Sequence, residues 1–299
     1  MANEYDMPYY LPEPTGGTRK HFESLIPIAI LVIIGIILLG RSSSVFCAVP
    51  GLGSVLCGTP SIQIGVIGSF TGTRVVDNTT VIAPELKLLL ESPQGASYGI
   101  TFQEFTPNLF TYAGDQLLAN FDMVILVGDR AFNRRVKDSI GTYIANGGKL
   151  MIIGDSAISD PDDPLAKGWG IIDGIPVRLS NEANIDLPIR IGSGDQPPAI
   201  QIADINHQIS KGYFPVLNLG EVRNKPTCNR DLQLIETLPN SNGKVIAFLS
   251  GITGAGTPKD IVGIVEGGTP LGGKIMYFAY DPGCTPNLAI STIRYMTGK

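Results

Sequence analysis

The run IQIGVIG at 62–68 opens a pattern that recurs along the chain. It is apolar, rich in β-branched residues and too short for a helix, which predicts a strand buried on both faces. PELKLLLE at 84–91 predicts a short amphipathic helix with Pro84 in its first turn. YGITFQEF (98–105) alternates like a second strand, and GDQLLANF leads into a third buried one, DMVILVGD at 122–129. In FNRRVKDSIGTYIAN the apolar residues Phe132, Val136, Ile140, Tyr143 and Ile144 fall at helical spacing. That helix stops at Gly147-Gly148, where glycine accepts the left-handed conformation. KLMIIGD (149–155) is a fourth strand. Residues 157–243 are irregular and rich in Asp, Pro and Gly, with short strands in GIPVRL and LPIRIG. The regular pattern resumes with KVIAFLSG (244–251), DIVGIVEGG (260–268) and GKIMYFAY (273–280). TPNLAISTIRYM closes the chain as a helix with Thr285 as N-cap and Pro286 at its first position.

Strands alternating with helices predict an α/β fold: a flavodoxin-like, mostly parallel sheet flanked by helices, joined by right-handed crossovers and interrupted by the insertion at about 157–243. Function in such sheets gathers at the C-terminal ends of the strands. Asp129 and the Gly154-Asp155-Ser156 turn fall there.

Ahead of this domain, residues 24–40, SLIPIAILVIIGIILLG, carry no charge. As a helix they extend about 25 Å, slightly short of the ~30 Å hydrocarbon core, a gap that flanking residues close by snorkelling. Arg19, Lys20 and His21 precede the run and only Arg41 follows closely. The positive-inside rule then leaves residues 1–23 as a short cytoplasmic tail and places the bulk of the chain outside. A cleaved signal peptide is the alternative, but the polar leader is long and the apolar run exceeds the usual ~7–15 residues. Bulky Phe46 before Cys47 disfavours a lipoprotein site. Residues 41–60 read as a Ser/Gly/Pro-rich linker, and 61–299 as the outer domain.

The net charge of −5 without a long basic run leaves nucleic acid out of the picture. With 36 Gly and 22 Pro in 299 residues, the chain stays below the ~25–30% of a low-complexity sequence and reads as folded. Four cysteines on the outer side, Cys47, Cys57, Cys228 and Cys284, suggest disulfides. Three connectivities are open; the pairing taken here is Cys47–Cys57, closing CAVPGLGSVLC, with Cys228–Cys284. Zinc is disfavoured because no paired CxxC spacing is present.

FDMVILVGD, YIANGGKLMIIGD, DINHQISKG and GKIMYFAYDPG, in that order, together resemble the class I glutamine amidotransferase-like superfamily, in its membrane-associated and trehalose-utilisation-protein-like branch. The likeness spans about 62–295, with Gln208 where that branch usually has Pro. It implies a cysteine nucleophile in G-x-C-x-G after the fourth strand and a late His-x-Glu pair. Here the elbow is Gly154-Asp155-Ser156-Ala157-Ile158 and the late loop Tyr280-Asp281-Pro282-Gly283-Cys284. Neither motif is present, so the resemblance implies a fold whose thiol chemistry has been lost.

Ser156 is the candidate that remains. Gly-Asp-Ser after an apolar strand, with Asp204 and His207 in Asp-x-x-His spacing, resembles a GDS-type esterase set, in which His207 takes the Ser156 proton and Asp204 orients the imidazole. Against this, such enzymes carry the block on their first strand, and the turn fails G-x-S-x-G. The bland reading makes Asp155 and Ser156 turn residues and His207 a loop-fixing side chain. Asp160, Asp162 and Asp163 extend an acidic loop that lacks the order of a calcium site. The glycine runs at 251–256 and 267–273 lack a phosphate-loop lysine.

The expectation is a single-pass membrane protein whose outer domain binds rather than catalyses, with a protein partner or self-assembly at the membrane. Asp129, Asp155, Ser156 and Asp281 are its candidate ligand-binding residues, and no metal or cofactor is called for. The rival is an outer-surface serine hydrolase using Ser156 and His207. A carbohydrate-binding or carbohydrate-processing domain is a third reading, implied by the trehalose-utilisation likeness.

Overall fold

The computed structural model describes residues 61–70, 83–163, 165, 167–170, 172–179, 189–190, 199–218, 228, 233–234, 237–254 and 257–299, together with Pro27. Residues 24–40 otherwise lie outside the described residues, as do Cys47 and Cys57. Among the described residues no helix is long and apolar enough to cross a membrane. The chain separates into two units, Met1–Thr59 and Pro60–Lys299, and all that follows concerns the second.

The first four buried runs are strands: β1 (Ile62–Gly68), β2 (Ile100–Phe105), β3 (Met123–Val127) and β4 (Lys149–Ile153). Between them lie α1 (Pro84–Glu91), α2 (Pro93–Ser97), α3 (Phe110–Leu118) and α4 (Arg134–Ala145). The insertion supplies β5 (Val177–Leu179), β6 (Ile189–Arg190), β7 (Ala199–Ile202), β8 (Val216–Asn218), β9 (Gln233–Leu234) and β10 (Thr237–Pro239). Then come β11 (Lys244–Gly254), β12 (Thr257–Gly268), β13 (Lys274–Phe278) and α5 (Pro286–Thr297).

Nine strands form one sheet in the order β2-β1-β3-β4-β13-β12-β11-β7-β8. The first five are parallel to one another, in the 2-1-3-4-5 order of a flavodoxin-like sheet, counting β13 as fifth. The other four run antiparallel to their neighbours. The sheet is therefore mixed, which corrects the expected mostly parallel one. The cause is the connection from β11 to β12. Only residues 255–256 separate them, whereas a parallel crossover needs a dozen or more. So the two strands return on each other as a long hairpin, and part of the insertion adds β7 and β8 beyond it. β5–β10 and β6–β9 form separate two-stranded sheets.

Side chains alternate across the sheet and fill two cores. On one face Ile64, Val66, Ile125, Met151 and Met276 meet α1 and α5. On the other, Ile67, Leu126, Ile152 and Tyr277 meet α4, with Trp169 and Ile172 from the insertion. Helix α4 begins where Asn133 caps it, its side chain accepting from the Val136 N–H at 3.0 Å. It ends at Gly147, φ +89°. Thr285 is the N-cap residue of α5 with Pro286 in its first turn, as expected, although its hydroxyl bonds Tyr280 and the Pro282 carbonyl rather than a helix N–H.

Cys228 and Cys284 are joined, with Cα atoms 5.7 Å apart and both side chains buried. Alkylation of the denatured protein before reduction should leave both peptides unmodified by mass spectrometry. Labelling of either without reductant would contradict the bridge.

Candidate functional site

A sheet of this order offers a site at the C-terminal ends of its parallel strands, first at the β1/β3 switch point, and the sequence candidates lie at the adjoining β3 and β4 ends. Gly68 and Gly128 let the loops after β1 and β3 touch: a Cβ at Gly68 would lie 1.9 Å from the Val127 oxygen, and one at Gly128 2.1 Å from the Ser69 oxygen. Asp129 follows, partly exposed. Arg130 turns inward, its Nε 2.8 Å from Asp155 Oδ2, with both side chains almost wholly buried. Sequence reasoning missed Arg130, since nothing local says that this charge points into the protein.

Ser156 has no access to solvent. Its hydroxyl donates to the Ile153 carbonyl at 2.8 Å, and its own carbonyl accepts from Trp169 Nε1 at 2.7 Å. Gly154 and Ala157 of this turn are both left-handed, φ +57° and +63°, and the Ala157 N–H donates to the Asp129 carbonyl at 2.9 Å. A non-glycine residue held there costs about 1–2 kcal/mol, so the surroundings impose the conformation. The strained position of the elbow thus carries a methyl group rather than a hydroxyl.

His207 lies elsewhere. Its Nε2 is 3.0 Å from Glu266 Oε2, and its Nδ1 accepts from the Ile209 N–H at 3.3 Å. That pattern gives the tautomer protonated at Nε2. Glu266 also accepts from the Tyr295 hydroxyl, and Lys274 Nζ stands 4.0 Å over the Tyr295 ring. Burial works to raise the Glu266 pKa, but the His207 and Tyr295 bonds and the Lys274 charge hold it below the ordinary value. Burial and the Glu266 carboxylate push the Tyr295 phenol up to about 12. Glu266 alternates with Ile264, which packs on the α1/α5 face, whereas Ser156 is followed by Ala157 and Ile158 of the α4 face. Ser156 and His207 share no hydrogen bond: the Ser156 hydroxyl bonds the Ile153 carbonyl, and the His207 ring bonds Glu266 and the Ile209 N–H. Asp204 pairs with Lys244 at 2.8 Å and does not bond the His207 ring.

Asp281 is buried at the start of α1. Its Oδ2 accepts from the Glu85 N–H at 2.8 Å, and its Oδ1 from those of Leu86 and Gly283, at 3.0 and 2.8 Å. Ala83, the α1 N-cap, offers no side-chain oxygen. Asp281 therefore caps a helix nearly 200 residues away in sequence. Gly283 makes the approach possible, since a Cβ there would lie 2.0 Å from the Glu85 carbonyl carbon. Burial pushes the Asp281 carboxyl up to about 7 against the pull of its three donors.

In the acidic loop Asp160 and Asp163 accept from the N–H groups of Asp162 and Leu165. Among the described residues no group of acidic, His or Cys side chains could hold a metal ion.

No family model matches the chain, and no curated protein sequence matches it. Solved structures do. A β-galactosidase from Bacillus circulans sp. alkalophilus superposes with a TM-score of 0.51 at 13% identity, over 83% of this chain and 33% of the other. The likeness is one of fold alone. The chain spans about a third of that enzyme's length. A ThuA-like protein from Bacteroides uniformis gives a TM-score of 0.48 at 9% identity, over 80% and 92% of the two chains. A GMP synthase component from Thermoplasma acidophilum gives 0.45 at 10%, over 80% and 95%.

Beside the elbow lies a cleft of about 400 Å³, bounded by residues 167–170 and 172–175, by β5 and by the turn at 240–242. Its members were not singled out in the sequence. The one available signal was the chain's single tryptophan, set among Gly168, Gly170 and Gly174.

Proposed function

We propose that this chain is a non-catalytic, amidotransferase-like binding module, anchored outside the cell by residues 24–40 and serving an accessory or scaffolding role at the membrane. One observation carries the loss of catalysis: the polar side chains at the strand ends are consumed internally. Ser156 donates to its own strand, Asp155 neutralises Arg130, and Asp281 caps α1. A nucleophile needs a base within hydrogen-bond reach. Among the described residues, the only atom that the Ser156 hydroxyl engages is a backbone carbonyl oxygen. The uncharged run at 24–40 and the positive residues before it support the anchor and its orientation.

The test is made on membranes carrying the full chain. Carbonate washing should leave it in the membrane fraction, and gentle detergent should extract it with a partner or as a self-assembled complex. A fluorophosphonate probe should leave the protein unlabelled while a control esterase reacts. Labelling that disappears in Ser156→Ala would establish the hydrolase instead. Release of the chain by carbonate would refute the anchor, and extraction as a free monomer would refute the scaffolding role.

A further inference from the structure

We propose that the cleft beside the elbow binds a small carboxylate that also carries amine or hydroxyl donors. This deepens the binding-module reading by naming a site and a ligand class.

The walls of the cleft are built by close packing. The Asn240 side chain donates to the Ile175 and Val177 carbonyls at 2.9 and 3.2 Å, and that of Asn242 to Gly174 at 3.2 Å. A Cβ at Gly243 would lie 2.2 Å from the Pro176 oxygen, and one at Gly267 2.7 Å from the Pro176 ring. Only glycine lets the β11–β12 hairpin press this closely on β5. The floor is Trp169, held at its Nε1 by the Ser156 carbonyl and packed edge-on to Tyr277 at 5.9 Å. The cleft is a fixed feature directly behind the β4 end.

What lines it is chemically uncommitted. In β5 the buried Val177 and Leu179 flank an outward Arg178. Arg178 and Lys167 line the cleft, and among the described residues neither side chain makes a hydrogen bond or ion pair. With both side-chain amide groups turned to backbone carbonyls as donors, the Asn240 and Asn242 oxygens keep their acceptor capacity. Asp173 adds an exposed carboxylate to the same lining.

Two free cations with a planar guanidinium suit a carboxylate, which arginine can hold through two parallel hydrogen bonds. Two amide oxygens and Asp173 then require donors on the ligand. A dense anion such as inorganic phosphate would set Asp173 against it, and a neutral sugar would leave both cations unpaired. A small amino- or hydroxy-carboxylate meets both demands.

Trp169 is the chain's only tryptophan, so its fluorescence reports this cleft. The full chain in detergent is titrated with sodium L-glutamate and sodium gluconate, and in parallel with inorganic phosphate and glucose. A saturable change with at least one carboxylate is expected, absent with phosphate and glucose. Arg178→Gln should weaken it at least tenfold, while Arg135→Gln on exposed α4 surface leaves it unchanged, both variants keeping the wild-type circular dichroism. No saturable change with either carboxylate would overturn the proposal. So would equal responses to phosphate or glucose, or wild-type affinity in Arg178→Gln. Neither result bears on Ser156, because fluorophosphonate labelling reads that hydroxyl independently.

Discussion

Asp155→Ala should lower the stability of the domain by about 3–5 kcal/mol. Asp155 and Arg130 are both sealed from water, their charged atoms 2.8 Å apart. Removing the carboxylate leaves a guanidinium that can neither shed its proton nor reach solvent without opening the loops after β3 and β4. The penalty is that of a buried charge deprived of its carboxylate at 2.8 Å rather than of one lost surface contact. Replacing both partners with apolar residues, as in Arg130→Met with Asp155→Leu, should recover much of the loss. Urea denaturation of the three proteins reads the difference directly. If Asp155→Ala proves as stable as wild type, then the pair is solvated and the strand ends are not sealed.

The second expectation concerns Asp281. Truncation to Ala removes the carboxylate to which three buried N–H groups donate, and at about 1–3 kcal/mol for each such bond a loss of about 3 kcal/mol is expected. The wild-type protein should also show a pH signature. The Asp281 carboxyl is raised from 3.8 to about 7 by burial. A raised acid binds its proton more tightly in the folded state than in the unfolded one. Its contribution is therefore complete below the ordinary carboxylate range and is lost as pH rises through about 7. Stability should fall between about pH 4 and pH 7 in wild type and level off above that. Asp281→Asn keeps an acceptor for Leu86 and Gly283 but cannot titrate, so its curve should be flatter over that interval. Parallel slopes in the two proteins would show that the three donors outweigh burial and keep the carboxylate charged.

Both expectations involve residues whose roles the sequence displayed unevenly. Strands β1, β3, β4 and β13 were legible because strands buried on two faces must be apolar throughout. Strands β11 and β12 were legible as strands but not in direction, because a buried hairpin strand and a buried parallel strand look alike, and only the two-residue connection told them apart. Helix α3 escaped notice because the segment before β3 reads only as a lead-in to that strand. At the strand ends, Asp129, Asp155, Ser156 and Asp281 were located by position alone. Their partners came from elsewhere in the chain: Arg130 for Asp155, Trp169 for Ser156, and the start of α1 for Asp281. One clue was available, since a helix opening with Ala83-Pro84 has no capping side chain of its own and must borrow one. The cleft escaped because it forms where β5 and a turn more than sixty residues later meet.

The position of β13 shapes how this chain must be made. It follows every other strand of this sheet in sequence, yet it lies in the middle, between β4 and β12. Until it arrives, the parallel strands and the hairpin exist as two half-sheets, each with a raw central edge of unpaired backbone groups. Such edges recruit other chains. The nascent protein therefore passes through an interval of greatest vulnerability just before β13 emerges. A chaperone that shields the two raw edges would protect it most between the synthesis of β12 and that of β13.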